Sequence, residues 1–66
     1  MKNPEGIVRE INGPVVKGTN MASFKLNEIV TIGTHKLIGE VVSLDHDVAT
    51  MQVYEETEGL KAGEVI

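Results

Sequence analysis

Apolar and polar side chains alternate along most of this chain, a pattern typical of β-strands that bury one face. The alternation is clearest in "VATMQVYE", residues 48–55. There Ala49, Met51 and Val53 fall on one face, and the opposite face carries Thr50, Gln52 and Tyr54. We therefore predict a strand in which the first of these faces is buried.

Four more strands are predicted from β-branched runs that end at turn residues. They cover residues 6–11, 15–17, 28–33 and 37–45, and a sixth strand is expected to begin at Glu64. Asn12-Gly13-Pro14 has turn chemistry, because Asn and Gly accept positive φ and Pro fixes φ. Residues 18–26 fit neither strand nor helix periodicity. We interpret them as a loop, with a short helix from Asn20 as the alternative.

A flat sheet of five or six short strands would leave one apolar face exposed to solvent and two edges unpaired. We therefore predict an all-β fold, a small closed antiparallel β-barrel of five to six strands, with residues 1–66 as one domain. Gly39 lies in mid-strand and indicates a bend at a barrel corner or a bulge. The expected core consists of Val8 or Ile7, Val16, Ile32, Val42, Ala49, Met51 and Val53.

Composition restricts the classes of function. The 66 residues leave no room for a second core, and the absence of cysteine fits a reducing compartment, so we expect a cytoplasmic protein. The net charge of −4 and the scattered basic residues argue against a nucleic-acid partner. No apolar run is long enough to span a bilayer, so direct membrane insertion is not expected.

The ionisable clusters are better explained by structure than by catalysis. Asp45-His46-Asp47, even with His35 nearby, is expected to be a turn between strands rather than a metal site. Glu55, Glu56 and Glu58 imitate paired catalytic carboxylates, but adjacent acids near glycine are usually a solvated loop.

The remaining candidates give no more support for an enzyme. Ser23 and Ser43 lie in no nucleophile-elbow motif, and Gly33-Thr34-His35-Lys36 lacks the glycine spacing and hydroxyl of a phosphate loop. Tyr54 at a strand end is interpreted as a half-buried cap of the barrel rather than a base-stacking platform. We predict no catalytic, cofactor-binding or metal-binding residue in this chain.

Four short motifs occur in a recognisable order: "GPVV" at 13–16, "LIGEV" at 37–41, "QVYEET" at 52–57 and "GLKAGE" at 59–64. In this register the chain resembles the N-terminal domain of the catalytic A subunit (alpha chain) of archaeal/vacuolar-type rotary ATPases. The non-catalytic B subunit typically has a Phe-Glu-Gly-Thr-like sequence in place of "YEET", and the bacterial and mitochondrial synthase subunits differ further. Ala62, where many relatives have proline, and the segment 18–26 depart from the family pattern.

The resemblance implies a structural role in a proton- or sodium-translocating ATP synthase or ATPase. In that family the small barrels of alternating A and B subunits form a crown on the hexamer, so the implied partners are neighbouring A/B-type subunits. ATP hydrolysis or synthesis with Mg-ATP belongs to a separate nucleotide-binding domain of the parent subunit, so no cofactor is expected here. The alternatives are a stand-alone small barrel that binds a peptide or small ligand on an exposed edge and a small enzyme.

Overall fold

A computed structural model describes residues 6–66, which form five antiparallel strands. The strands are β1 (Ile7–Asn12), β2 (Val15–Thr19), β3 (Ile29–Ile32), β4 (Leu37–Asp45) and β5 (Val48–Val53). They make one sheet in the order β1-β2-β5-β4-β3. The all-β prediction is confirmed, and the predicted strands agree with the observed ones to within about two residues.

The tight turns depend on residues that adopt the left-handed backbone region. Gly13, with φ of 60°, joins β1 to β2, and Gly33, with φ of 80°, begins the turn between β3 and β4. His46, with φ of 60°, occupies the two-residue turn between β4 and β5. Histidine is among the non-glycine residues enriched in this region. The turns predicted at Asn12-Gly13-Pro14 and at Asp45-His46-Asp47 are therefore confirmed.

The inward-facing side chains of all five strands form one apolar core. The buried strand residues are Val8, Val16, Val30, Ile32, Val41, Ala49, Met51 and Val53. Met21 joins this core from the loop 20–28, where the described residues form turns and no helix. Its backbone N–H donates to Asp47 O at 2.9 Å, which fixes the loop against the β4–β5 turn. The loop interpretation of residues 18–26 is confirmed only beyond Thr19, where β2 ends.

The prediction that Val42 lies in the core is wrong. Val42 is 47% exposed, whereas its neighbour Val41 is fully buried. Val41 has the same inward phase as the buried Gly39, which points Val42 outward. The pairing of β4 with β5 then shifts between Val41 and Ser43, so Val42 and Ser43 are both exposed and the alternation changes phase after them. The predicted irregularity in this strand therefore lies three residues beyond Gly39.

Gly39 has a different role from the predicted bulge or bend. A Cβ atom there would lie 3.0 Å from both Gln52 O and the Cδ1 of Ile32. These distances are tighter than ordinary van der Waals contact, so a side chain at Gly39 would force the neighbouring atoms to move. Glycine is therefore needed because β5 and a core side chain approach β4 closely.

The ladder of paired strands is open between β1 and β3, so the described structure contains no closed ring of five strands. The predicted sixth strand is reduced to a single bridge between Ile7 and Val65. Gly33 N donates to Val65 O at 2.7 Å, so the same short segment also contacts the end of β3. Leu60, which precedes this segment in the chain, packs against the core. The connection from β5 therefore crosses one end of the sheet.

Candidate functional site

The Asp45-His46-Asp47 cluster is an exposed hairpin turn. His46 Nδ1 lies 2.8 Å from Asp45 Oδ1, and both side chains are almost fully exposed to solvent. Within residues 6–66 no three acidic, histidine or cysteine side chains converge as metal ligands would. The arrangement fits the local hydrogen bonding of a turn.

The acidic segment after β5 is also an exposed loop. Glu55, Glu56 and Glu58 are all exposed, as predicted for a solvated segment. Glu55 has one structural contact, since its Oε2 accepts a 3.0 Å hydrogen bond from Ile38 N at the start of β4. Glu55 therefore ties the loop to β4.

The two serines considered as nucleophiles, Ser23 and Ser43, are exposed as well.

The turn at 33–36 is occupied by a carboxylate of the protein itself. Glu64 Oε1 accepts a 2.8 Å hydrogen bond from Thr34 N, and Glu64 Oε2 accepts one of 3.1 Å from Lys61 N. The bond from Thr34 N is the main cause that lowers the pKa of Glu64 below its usual value. The N–H group of Thr34, which would have to bind a phosphate group at this turn, therefore already has a partner.

Tyr54 differs from its predicted role as a half-buried cap, because its side chain is 59% exposed. Its hydroxyl donates a 2.6 Å hydrogen bond to Glu40 Oε1, and Asn27 Nδ2 donates to Glu40 Oε2 at 3.1 Å. The hydrogen bond from Tyr54, followed by that from Asn27, lowers the pKa of Glu40. The same bond to Glu40 raises the pKa of Tyr54. At neutral pH this pair is therefore an ionised carboxylate and a neutral phenol.

Aliphatic side chains surround this fixed carboxylate on the outer face of the sheet. Ile29 pairs directly with Glu40 across β3 and β4 and is 57% exposed. Ile38, also exposed, lies two positions before Glu40, and Ile38 O accepts a 2.9 Å hydrogen bond from Tyr54 N. We refer to Ile29, Ile38, Glu40 and Tyr54 as the Tyr54 surface. An aromatic ring and aliphatic groups around one oriented polar group are typical of protein contacts.

A groove beside the Tyr54 surface joins two of the sequence motifs. Gly13 and Pro14 line it on one side, and residues 53–57 line it on the other. Thr57 Oγ1 donates to Gly13 O at 2.8 Å, and Val53 N donates to Pro14 O at the same distance. "GPVV" and "QVYEET" therefore meet at one end of the sheet, although nearly forty residues separate them in the chain.

The Tyr54 surface is not among the features predicted from the sequence, because those predictions follow the inward face of each strand. Ile29 and Ile38 have the opposite phase to the buried Val30 and Gly39. An aliphatic residue at an outward position of a strand was the available signal. The hydrogen bonds to Glu40 had no sequence signal, because Asn27 and Tyr54 lie 13 and 14 residues away from it.

Comparison with known proteins agrees with this architecture. Residues 8–66 match the family described as "ATP synthase alpha/beta family, beta-barrel domain". The chain is 56% identical over 61 residues to V-type ATP synthase alpha chain 2 of Clostridium tetani, covering 92% of this chain and 10% of that protein. It is 46% identical over 66 residues to the catalytic A subunit of the V-type proton ATPase of Cyanidium caldarium, covering 100% of this chain and 11% of that one.

A solved structure supports the fold at a greater evolutionary distance. The assembled ATPase EscN of the enteropathogenic E. coli type III secretion system superposes with a TM-score of 0.81 at 20% identity. That match covers 89% of this chain and 14% of EscN. At this identity the likeness shows the fold alone.

The chain belongs to the ATP synthase alpha/beta family, in which it is the β-barrel domain. Within that family its relatives at 42–56% identity are the alpha or catalytic A subunits of V-type ATPases, and the chain is the N-terminal domain of that subunit type. The resemblance stated from the sequence motifs is therefore confirmed. The chain spans about a tenth of the length of these relatives. None of the described residues forms a helix long and apolar enough to cross a membrane.

Proposed function

We propose that this domain is an assembly element of the catalytic A subunit of a V/A-type rotary ATPase. In this role it holds neighbouring subunits together by barrel-to-barrel contacts, as a crown on the A/B hexamer. ATP hydrolysis or synthesis, and the Mg-ATP that it needs, then belong to another part of the parent subunit. The assembled sector is peripheral to the membrane on its cytoplasmic side.

The observation that carries this proposal is the Tyr54 surface. It combines exposed aliphatic and aromatic groups with a carboxylate whose two oxygens are already oriented by Tyr54 and Asn27. Such a surface is preorganised for contact with another protein and has no group placed for chemistry. The relatives support the setting, since those named above are subunits of V-type ATPases.

In the assembled crown we propose that the sheet acts as a closed barrel. The bridge from Val65 to Ile7 and the bond from Gly33 N to Val65 O link the two edges that β1 and β3 would otherwise leave open. Covering both edges removes the unpaired groups that favour uncontrolled strand pairing. A barrel stabilised in this way presents its outer face as a firm contact surface.

The proposal is tested by building this chain into a relative. Residues 1–66 replace the matching segment of the Clostridium tetani alpha chain 2, which is expressed with its partner subunits. We expect the chimera to form hexamers by native mass spectrometry. Ile29→Glu with Ile38→Glu should then reduce the hexamer fraction severalfold, because each change places a charge in an apolar contact. Retention of the hexamer in this double variant would contradict the proposed surface.

His46→Asp is the matched control, because aspartate also tolerates the positive φ at this position. It adds a negative charge in the exposed turn beyond the other end of β4, away from Ile38. We expect this variant to assemble like the chimera. Thermal unfolding of the isolated 66-residue variants separates an assembly defect from a folding defect, since exposed substitutions usually change stability by about 0.5 kcal/mol or less.

A further inference from the structure

We propose that the space between β1 and the 33–36 turn is a strand-acceptor site that binds residues 60–66, supplied here by the same chain and equally by a second copy. This inference concerns how the fold is built and does not depend on the proposed role in assembly. It assigns to the fold a binding site for an extended peptide of the type Leu-x-x-Gly-Glu-aliphatic-Ile.

The backbone of the segment is bound from both sides. On the β1 side, Gly63 N donates to Val8 O at 2.7 Å and Val8 N donates to Glu64 O at 2.8 Å. Ile66 N continues the series with a 2.9 Å bond to Gly6 O. On the opposite side Gly33 N donates to Val65 O at 2.7 Å. This is the hydrogen-bonding pattern of a strand added to an existing edge.

Side chains give the site its specificity. Ile66 packs on the core in a niche that exists because Gly6 and Gly18 lack side chains. A Cβ atom at Gly18 would collide with Ile66 Cδ1 and lie 2.8 Å from Met21 Sδ. Glu64 adds a second anchor through its hydrogen bond from Thr34 N, and Leu60 adds a third by packing on the core. A ligand therefore needs an aliphatic residue two positions after an acid.

The connection to the segment is suited to exchange between copies. Residues 54–59 precede it, and Glu55 and Thr57 hold this connection to Ile38 N and Gly13 O. The connection ends at Gly59, with φ of 93°, and Gly63 inside the segment has φ of 99°. Apart from the bond that Leu60 N donates to Thr57 O in the connection, the contacts described above join the segment to the acceptor, so a second copy can supply the same segment with the same bonds. Exchange of an identical element is a low-cost route to a dimer.

The acceptor is tested by complementation in trans. A chain truncated after Gly59 is titrated with a synthetic peptide of residues 60–66, LKAGEVI. Amide shifts and hydrogen-exchange protection are followed at Val8 and Gly33, whose N–H groups donate to residues 64 and 65. We expect saturable binding with protection at these amides. If the truncated chain is unfolded by itself, we expect the peptide to restore the dispersed spectrum. Absence of both binding and restored folding would overturn the proposal.

Matched variants test the niche. The Ile66→Ala peptide, and Gly18→Ala in the truncated chain, should each weaken binding about tenfold or more, because the first removes the partly buried Ile66 side chain and the second blocks its niche. Lys17→Ala, at the neighbouring outward position, is the control and should leave affinity unchanged. Equal affinity for LKAGEVI and for a scrambled peptide would also overturn the proposal.

Exchange between copies is tested in the chain that keeps its own segment. Deletion of residues 56–58 shortens the connection, and a linker too short to span two sites in one chain cannot join them there. We expect a dimer by light scattering, with contacts between labelled Ile66 methyls of one copy and Met21 of an unlabelled copy. A monomer, folded or unfolded, would overturn exchange, and so would a dimer without these intermolecular contacts.

Discussion

The hydroxyl of Tyr54 and the carboxylate of Glu40 are joined by a 2.6 Å hydrogen bond across the outer face of β4 and β5. Fourteen residues separate them in the chain, and the antiparallel hairpin brings them together. Because the donor is a neutral phenol and the acceptor an ionised carboxylate, the bond is of the charge-assisted kind. It fixes the orientation of the Glu40 carboxylate on the Tyr54 surface.

Tyr54→Phe removes this hydrogen bond and leaves the ring in place. We expect the pKa of Glu40 to rise toward its usual range, because the Tyr54 bond is the largest of the contributions that lower it. A titration of side-chain carboxyl carbons by NMR measures this change. Asn27→Ala should produce a smaller rise, since the bond from Asn27 ranks second. An unchanged Glu40 titration in Tyr54→Phe would show that the bond is not formed in solution.

Glu64→Gln should reduce the loss of stability that the chain shows as pH falls. The pKa of Glu64 in the folded chain is lowered, chiefly by the hydrogen bond from Thr34 N. Its contribution to the stability of the fold is therefore present above the unfolded pKa, about 4.3. That contribution is lost as pH falls from about 4.3 through the lower folded value. Urea unfolding from pH 7 to pH 3 should show a smaller decline for Glu64→Gln than for the unaltered chain.

Glu58→Gln is the comparison for this experiment, because Glu58 is exposed and lies in the same acidic segment. It should follow the unaltered chain across the pH range. An identical decline in all three proteins would assign the acid sensitivity to other carboxylates.

Mg-ATP should not bind to this domain at a defined site. The 33–36 turn is the nearest approach to a phosphate-binding loop, and the N–H of Thr34 there is already bonded to Glu64. Titration of the 66-residue chain with Mg-ATP, followed by backbone amide shifts, should show only small and non-saturating changes. Saturable shifts clustered at one place with sub-millimolar affinity would contradict this prediction.

Most of the strands follow from the sequence because burial of one face imposes a period of two. Val16, Ala49 and Met51 occupy the predicted face for this reason. The turns follow from residues that tolerate positive φ, such as Gly13. These are local rules, and each needs only a few neighbouring residues to apply.

What the sequence could not reveal depends on distant contacts. Met21 is buried because its loop is bonded to Asp47, a residue 26 positions later. A sixth strand beginning at Glu64 is expected from the sequence, but its reduction to a single bridge beside β1 depends on hydrogen bonds that span more than fifty residues. The Tyr54 surface likewise depends on cross-strand register, which periodicity within one strand does not contain.

Two adjacent valines beside the bulge in β4 provide the sharpest comparison of sequence with structure, because only one of them is in the core. Val41 is fully buried and Val42 is 47% exposed, although the simple alternation predicted that Val42 is buried. Val41→Ala should therefore destabilise the chain by about 2 kcal/mol, from two lost methyl-sized groups and the cavity they leave. Val42→Ala should change the free energy of unfolding by about 0.5 kcal/mol or less. Urea titrations at pH 7 would measure both changes in the free energy of unfolding. The two variants make the same chemical change at neighbouring positions of one strand. A larger loss for Val42→Ala than for Val41→Ala would contradict this assignment of the two side chains.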